Sequence, residues 1–255
     1  SEVSAHYDPM IAKLIVHGTD RQDALQKLQN ALMETRLMGI ATNLDYLRQV
    51  VAQPSFAAAE VSTRALESFV YRPSVAEVIK PGTYTTVQDY PGRVGYWNIG
   101  VPPSGPMDDY AFRIGNRIVG NHADAAGLEA TLIGPTLKFH QDSVIALTGA
   151  PTDATLDDRP LDFWQPIAVK AGQVLQLGRA SKGCRTYIAI RGGFDVPVYL
   201  GSRATFALGQ FGGHGGRPLR PGDMLGISQQ ALTACTTPAP THEPCAADAG
   251  LIPDY

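Results

Sequence analysis

Residues 82–121 read GTYTTVQDYPGRVGYWNIGVPPSGPMDDYAFRIGNRIVGN, and the changes of texture along this stretch decide the fold of most of the chain. Tyr84 to Gln88 combines an aromatic residue, two threonines and a valine, which fit a pleated, half-buried surface and predict a strand. Pro91 and Gly92 end it in a tight turn. Pro102, Pro103, Gly105 and Pro106 stiffen the following loop. Apolar residues then return at helical spacing, so Pro106 to Val119 is predicted helical, with Ser104 or Asp108 as cap and Tyr110, Ala111, Ile114 and Ile118 as the buried face.

Beyond this stretch lie short runs of strand character broken by Gly and Pro: Thr136 to Phe139, Ser143 to Thr148, Ala154 to Leu156, Ile167 to Val169, Gln173 to Leu177, Arg185 to Ile190 and Asp223 to Ile227, with Ala76 to Ile79 just before it. Their spacing suits a barrel or a sandwich. Gln229 to Gly250 is rich in Ala, Thr and Pro, lacks periodicity, and reads as a linker. Toward the N-terminus, Val3 to Asp8 and Met10 to Val16 read as extended runs parted by Pro9. Asp20 is placed to cap a helix whose apolar positions are Ala24, Leu25, Leu28, Ala31, Leu32 and Thr35, with Gly39 as its stop. Asn43 is placed to cap a second helix carrying Leu44, Leu47, Val50 and Val51. Residues 1–70 therefore form a small α+β unit, 71–78 a connection, 79–228 a β-rich domain, and 229–255 a linker or incomplete continuation.

The chain has 255 residues, 44% of them hydrophobic, enough for one large core or two modest ones. A net charge of -3 with both signs interspersed offers no basic stripe for nucleic acid. No apolar run approaches the roughly 20 residues that span a bilayer, so no membrane partner is expected. Cys184, Cys235 and Cys245 lack CxxC spacing, which argues against disulfides and zinc and for a cytoplasmic setting. The histidines at 6, 17, 122, 140, 214 and 242 never fall at metal-ligand spacing, so no metal site is expected. Ser104 lacks the GxSxG elbow of a triad hydrolase. A start at Ser1, inside a strand-like run, reads as a cut from a longer polypeptide.

YDPMIAKLIVHG (7–18), ALQKLQNALMETRLMGIATNLDYLRQV (24–50) and PSFAAAEVSTRALE (54–67) resemble the closing segment of biotin carboxylase domains. His6 and Pro9 depart from an aromatic residue and a serine more usual there, a matter of packing. The 82–121 stretch, LEATLIGPTLKF (128–139), TYIAIRGGFDVPVYLGSRAT (186–205) and GGHGGRPLRPGD (212–223) resemble the carboxyltransferase domain of urea carboxylases, a family that includes the larger subunit of bacterial oxoprolinase, once called allophanate hydrolase. The resemblance implies an α+β tail of a biotin carboxylase domain followed by a mainly β, cyclophilin-like barrel. It implies a role in transferring a carboxyl group from carboxybiotin to urea, giving allophanate. Biotin is then expected on a carrier domain outside this chain, the ATP and Mg sites also lie outside it, and a companion β domain and an oligomeric full-length enzyme are implied partners. The alternatives are a guanidine carboxylase, an ATP-hydrolysing 5-oxoprolinase subunit, and a non-catalytic regulatory module. Only the carboxylases account for both segments and their order.

Carboxyl transfer to urea needs acceptors for amide N–H groups and donors for a carbonyl and a carboxylate. Gln88-Asp89-Tyr90-Pro91-Gly92-Arg93 ends a strand in a turn that would project Asp89 and Arg93, both catalytic candidates, from a rigid scaffold; a salt-bridged turn is the alternative. Val101 to Asp109 feeds a helix N-terminus, where free N–H groups favour an anion, and Ser104 and Asp108 are catalytic candidates unless they serve only as caps. Asn116, Asn121 and Glu129 are candidate substrate ligands, weighed against structural hydrogen bonds. Gly209 to Arg217 is glycine-rich enough for close backbone approach to a ligand, with Ser202, Arg203 and Thr205 nearby as further ligands. An ordinary hairpin loop is the alternative there.

Overall fold

The computed structural model describes residues 10–35, 37, 42–60, 62–71 and 73–228. It forms two compact units, Ser1–Leu37 with Thr42–Tyr71, and Met38–Ala41 with Arg72–Tyr255. The expectations for residues 1–9, Gly39 and 229–255 lie outside the described residues.

In the first unit α1 spans Arg21–Glu34, α2 Leu44–Val51 and α3 Pro54–Ala57. Asp20 caps α1 as expected, its carboxylate accepting the Asp23 N–H at 2.9 Å. Asn43 precedes α2 but makes no side-chain cap; the Leu44 N–H instead points to Thr42 Oγ1 at 3.4 Å. Arg48 of α2 donates to the carbonyls of Leu32 and Thr35, both at 2.9 Å, and so satisfies acceptors that the last turn of α1 leaves open. Met10 to Val16 is not a strand. Met10, Ile11, Leu14 and Ile15 are exposed, and no ladder among the described residues gives this run a partner.

The second unit contains β1 Val75–Lys80, β2 Tyr84–Gln88, α4 Asp109–Ile118, β3 Gly127–Thr131, β4 Thr136–Phe139, β5 Ser143–Gly149, β6 Thr152–Leu156, β7 Arg159–Pro160, β8 Ile167–Val169, β9 Val174–Ala180, β10 Arg185–Ile190 and β11 Met224–Gly226. The strands form two sheets, ordered β11-β1-β4-β9-β6-β7 and β2-β3-β10-β5-β8. Every strand-to-strand ladder is antiparallel, and neither sheet closes on itself among the described residues. The fold is thus mainly β with an open pair of sheets where a barrel was expected. Leu137, Phe139 and Leu175 from one sheet share a core with Leu128, Leu147, Ile188 and Ile190 from the other. Burial of alternate residues on both inner faces supplies the driving force of a two-layer sandwich.

Helix α4 lies on the outer face of the five-stranded sheet. Ala111 and Phe112 pack with Trp164 and Tyr187, and Ile118 with Val119, Ala146 and Ala189. Phe112, Gly115 and Asn116 belong to its buried face, whereas Tyr110, expected inside, is exposed. Gly115 meets Thr148, whose hydroxyl donates to the Ala111 carbonyl at 2.8 Å. Strand β3 escaped sequence reading: GLEAT has little β propensity, yet it is held between β2 and β10, where ladder partners on both sides override propensity.

Candidate functional site

The turn after β2 points inward. Asp89 and Arg93 are only 5% and 1% exposed, so neither projects into solvent. Asp89 Oδ1 accepts the Ser202 hydroxyl and Oδ2 the Arg203 backbone N–H, both at 2.6 Å. The Ser202 oxygen accepts the Ala204 N–H at 2.9 Å, while the Thr205 hydroxyl donates to the Val87 carbonyl at 2.8 Å. Arg93 donates from Nε to the Tyr199 carbonyl at 3.0 Å and from Nη2 to that of Ala204 at 2.8 Å, with its guanidinium 4.9 Å from the centre of the Phe211 ring. Burial pushes the Arg93 pKa down, opposed by the nearby charge of Asp89. No salt bridge joins the two among the described residues. They clamp the 199–205 segment from one side, and the glycine-rich loop closes it from the other, with the Gly213 N–H donating to the Arg203 carbonyl at 2.9 Å. Asp89, Arg93, Ser202, Arg203 and Thr205 therefore form one constellation.

Ser104 and Asp108 sit on the neighbouring loop, which stacks on the same turn: the Arg93 N–H donates to the Pro103 carbonyl, and Gly92 lies flush against Pro103 and Ser104. This loop is pinned by side chains from adjacent strands. Gln88 accepts the Gly105 N–H at 3.0 Å, Glu129 that of Met107 at 2.7 Å, and the Tyr187 oxygen that of Asp108 at 2.7 Å. The Tyr187 hydroxyl donates in turn to Glu129 at 2.9 Å. Burial and the adjacent Glu129 carboxylate raise the Tyr187 pKa, so it stays a neutral donor. Arg185 Nε lies 3.4 Å from Glu129, an ion-pair distance without hydrogen-bond geometry. The N–H groups of Gly105 and Met107 in the loop and of the cap residue Asp108 are therefore engaged within the protein. The Asp108 carboxylate caps α4 by accepting the Ala111 N–H at 2.9 Å. Ser104 is held at φ 56°.

Asn116 and Asn121 stand apart from both groups. Asn116 is fully buried; it donates to the Ala125 carbonyl and accepts from Asn121, both at 2.9 Å. Asn121 also donates to the Ile190 carbonyl at 2.7 Å and accepts the Gly192 N–H at 2.8 Å. Their amides tie the end of α4 to the end of β10. Tyr187 is a residue that sequence reading missed, because it stands within an otherwise ordinary strand pattern, and Gln88 was named in the first cluster without its tether to the loop.

In the glycine-rich loop, Arg217 grips Asp223 with two bonds of 2.7 and 2.8 Å, and His214 Nε2 lies 3.5 Å from the same carboxylate. Burial acts to raise the Asp223 pKa but is outweighed by Arg217 and the Arg220 N–H, so the net direction is down; burial lowers that of His214. Both groups bind protons more weakly folded than unfolded, so each contributes stability above its unfolded pKa that is lost as pH falls through the folded value. Acidification from neutral pH should loosen this loop, and Asp223→Asn should cost about 2 kcal/mol at pH 7 while flattening the acid limb. Amide exchange at Gly213 and Gly216 measured across pH checks this; a variant as acid-sensitive as the parent would refute it.

The comparisons with known proteins agree with this layout. The family model of the carboxyltransferase domain, subdomain A and B, matches residues 99–251, and that of the biotin carboxylase C-terminal domain matches residues 1–68. The chain is 54% identical over 251 residues to the urea amidolyase of Lachancea kluyveri, covering 98% of this chain and 14% of that protein. It is 44% identical over 153 residues to a 5-oxoprolinase subunit of Escherichia coli, covering 60% of this chain and 49% of that one. The crystal structure of the Kluyveromyces lactis urea carboxylase matches with a TM-score of 0.88 at 53% identity, over 99% of this chain and 22% of that one. The chain thus spans a small part of the urea amidolyase and urea carboxylase relatives it matches. With more than half its length matched by that one model, it belongs to the carboxyltransferase domain (subdomain A and B) family and carries a biotin carboxylase C-terminal region ahead of it.

Proposed function

We propose that this chain serves the carboxyl-transfer half of a biotin-dependent urea carboxylase, with urea as acceptor and allophanate as product. The observation that carries the reading is the joint itself: a biotin carboxylase C-terminal region at residues 1–68 precedes a carboxyltransferase region at residues 99–251 in one chain, at 54% identity to a urea amidolyase over 98% of the chain. The 5-oxoprolinase relatives match a smaller share, 60% of the chain for the Escherichia coli protein.

Biotin on a carrier domain outside this chain would supply an activated carboxyl group, and the ATP and Mg sites would likewise lie elsewhere. The residues present suit such a visitor. Val94, Trp97, Ile99 and Met107, on the two segments that follow the β2 turn, are each at least 60% exposed and offer apolar surface to a ring and its arm or to a companion β domain. Beside them the pinned 101–108 loop holds the Ser104 hydroxyl in a fixed place to donate to a carbonyl. A rigid scaffold of this kind lowers the cost of orienting two reactants.

The intact protein, supplied with ATP, Mg and bicarbonate, should form allophanate from urea, and avidin should abolish the reaction. Preference for guanidine would move the reading to the sister carboxylase. Avidin-insensitive ATP cleavage stimulated by 5-oxoproline would overturn it.

A further inference from the structure

Residues 202–205 are locked at nearly every polar atom. Ser202 is spent on Asp89 and Ala204, the Ala204 carbonyl on Arg93, and Thr205 on Val87. Arg203 has its backbone N–H held by Asp89 and its carbonyl by the Gly213 N–H. The covering loop fits without slack: a Cβ at Gly213 would lie 2.0 Å from Thr205 Oγ1. Of these four side chains only that of Arg203 is not enclosed. It is half-buried, and its guanidinium has no hydrogen bond, ion pair or aromatic contact among the described residues.

Burying the Asp89 carboxylate is costly unless hydrogen bonds replace its water, and the two it accepts both come from the 202–203 segment. One of them holds the Ser202 hydroxyl and the other the backbone N–H of Arg203, whose side chain is a planar fork of donors matched to a carboxylate. Arg93, by contrast, has its Nη1 enclosed with no acceptor and no access to a ligand. It reinforces the cradle from within.

We infer that Arg203 is the side chain of this chain that binds the carboxylate of the transferred group, and that Asp89, through the Arg203 N–H, and Ser202 and Arg93, through the adjoining Ala204 backbone, are positioning residues. The inference rests on the carboxyl-transfer reading for the choice of ligand. The product carries a carboxylate on the nitrogen where urea carried a proton, so the site must hold a carboxylate that the neutral acceptor lacks. A cation held in place does so, because a neutral ligand would leave the guanidinium partly desolvated and unpaired.

Malonamate, which has a methylene where allophanate has N–H, tests the assignment against its neutral counterpart malonamide, by calorimetric titration of the intact protein. Arg203→Gln should weaken malonamate binding roughly ten- to hundredfold and leave malonamide unchanged. Arg203→Lys, keeping charge but not the fork, should fall between the parent and Arg203→Gln. Amide exchange at Ala204 and Gly213 should not change in Arg203→Gln, because the cradle holds only the backbone. Equal malonamate affinity in parent and Arg203→Gln, equal losses for both ligands, or no malonamate binding by the parent would each overturn the inference. Arg203-dependent malonamate binding by a protein that does not carboxylate urea would uphold the carboxylate site and sink the urea reading instead.

Discussion

Asp89→Asn is expected to release the 202–205 segment although it changes a single oxygen to nitrogen. The parent carboxylate accepts two hydrogen bonds of 2.6 Å, from the Ser202 hydroxyl and the Arg203 N–H. An amide presents one acceptor and one donor. In one orientation its NH2 opposes the Arg203 N–H, and in the other the Ser202 hydroxyl loses its acceptor, so a buried donor is left unpaired either way. Arg93, enclosed nearby, also loses the charge that offsets its burial. The combined cost is about 3 kcal/mol, which corresponds to a roughly hundredfold loss of amide protection at Arg203 and Ala204. Exchange at α1 amides serves as the internal control. On the proposed function, carboxyl transfer by the intact protein should fall at least roughly tenfold with biotin-dependent ATP cleavage retained. Parent-like protection at both amides would show that Asp89 is not the anchor.

Gly212→Ala should cost as much or more, through backbone alone. Gly212 has φ 73°, which an L side chain adopts at a cost of about 1 kcal/mol. Its Cβ would also lie 2.1 Å from the Ala204 carbonyl oxygen and 2.7 Å from Arg93 Nη2, two groups bonded to each other and fixed in place. The loop must lift off the segment it covers, for a total loss of about 3–5 kcal/mol. Gly222→Ala is the matched control: φ is 84°, but nothing lies within 4 Å of the added carbon, so only the conformational cost of about 1 kcal/mol applies. Thermal unfolding monitored within the second unit, compared for the two variants, decides the matter. Equal destabilisation would show that the close approach is not rigid.

Much of the β architecture was legible because period and propensity agreed: Tyr84 to Gln88, Thr136 to Phe139, Ile167 to Val169 and Arg185 to Ile190 are strands at the expected bounds. Gly127–Thr131 was not, since its assignment depends on two neighbours distant in sequence. Closure into a barrel was also beyond local reading, because the order of strands is a property of pairings and not of composition. In the site, residue types were legible and roles were not. Asp89 and Arg203 were marked as polar groups near glycine-rich turns, but no spacing rule reveals that one holds the backbone of the other across 114 positions. Asp108 and the asparagines show the converse, polar residues whose bonds serve helix ends.

The side chains that pin the 101–108 loop come from three strands lying side by side. Glu129 faces Thr86 on one neighbour and Tyr187 on the other, and Gln88 stands two positions beyond Thr86 on the same face. If any of these strands paired one residue out of step, its gripping group would turn to the opposite side, and the loop would lose a tether while most backbone ladder bonds survived. The same slip would turn core residues of that strand, such as Leu128 on β3 or Ile188 on β10, away from the core they share, so the loop and the core depend on one register. A single alignment of three strands thus seats the loop and closes the apolar interior together.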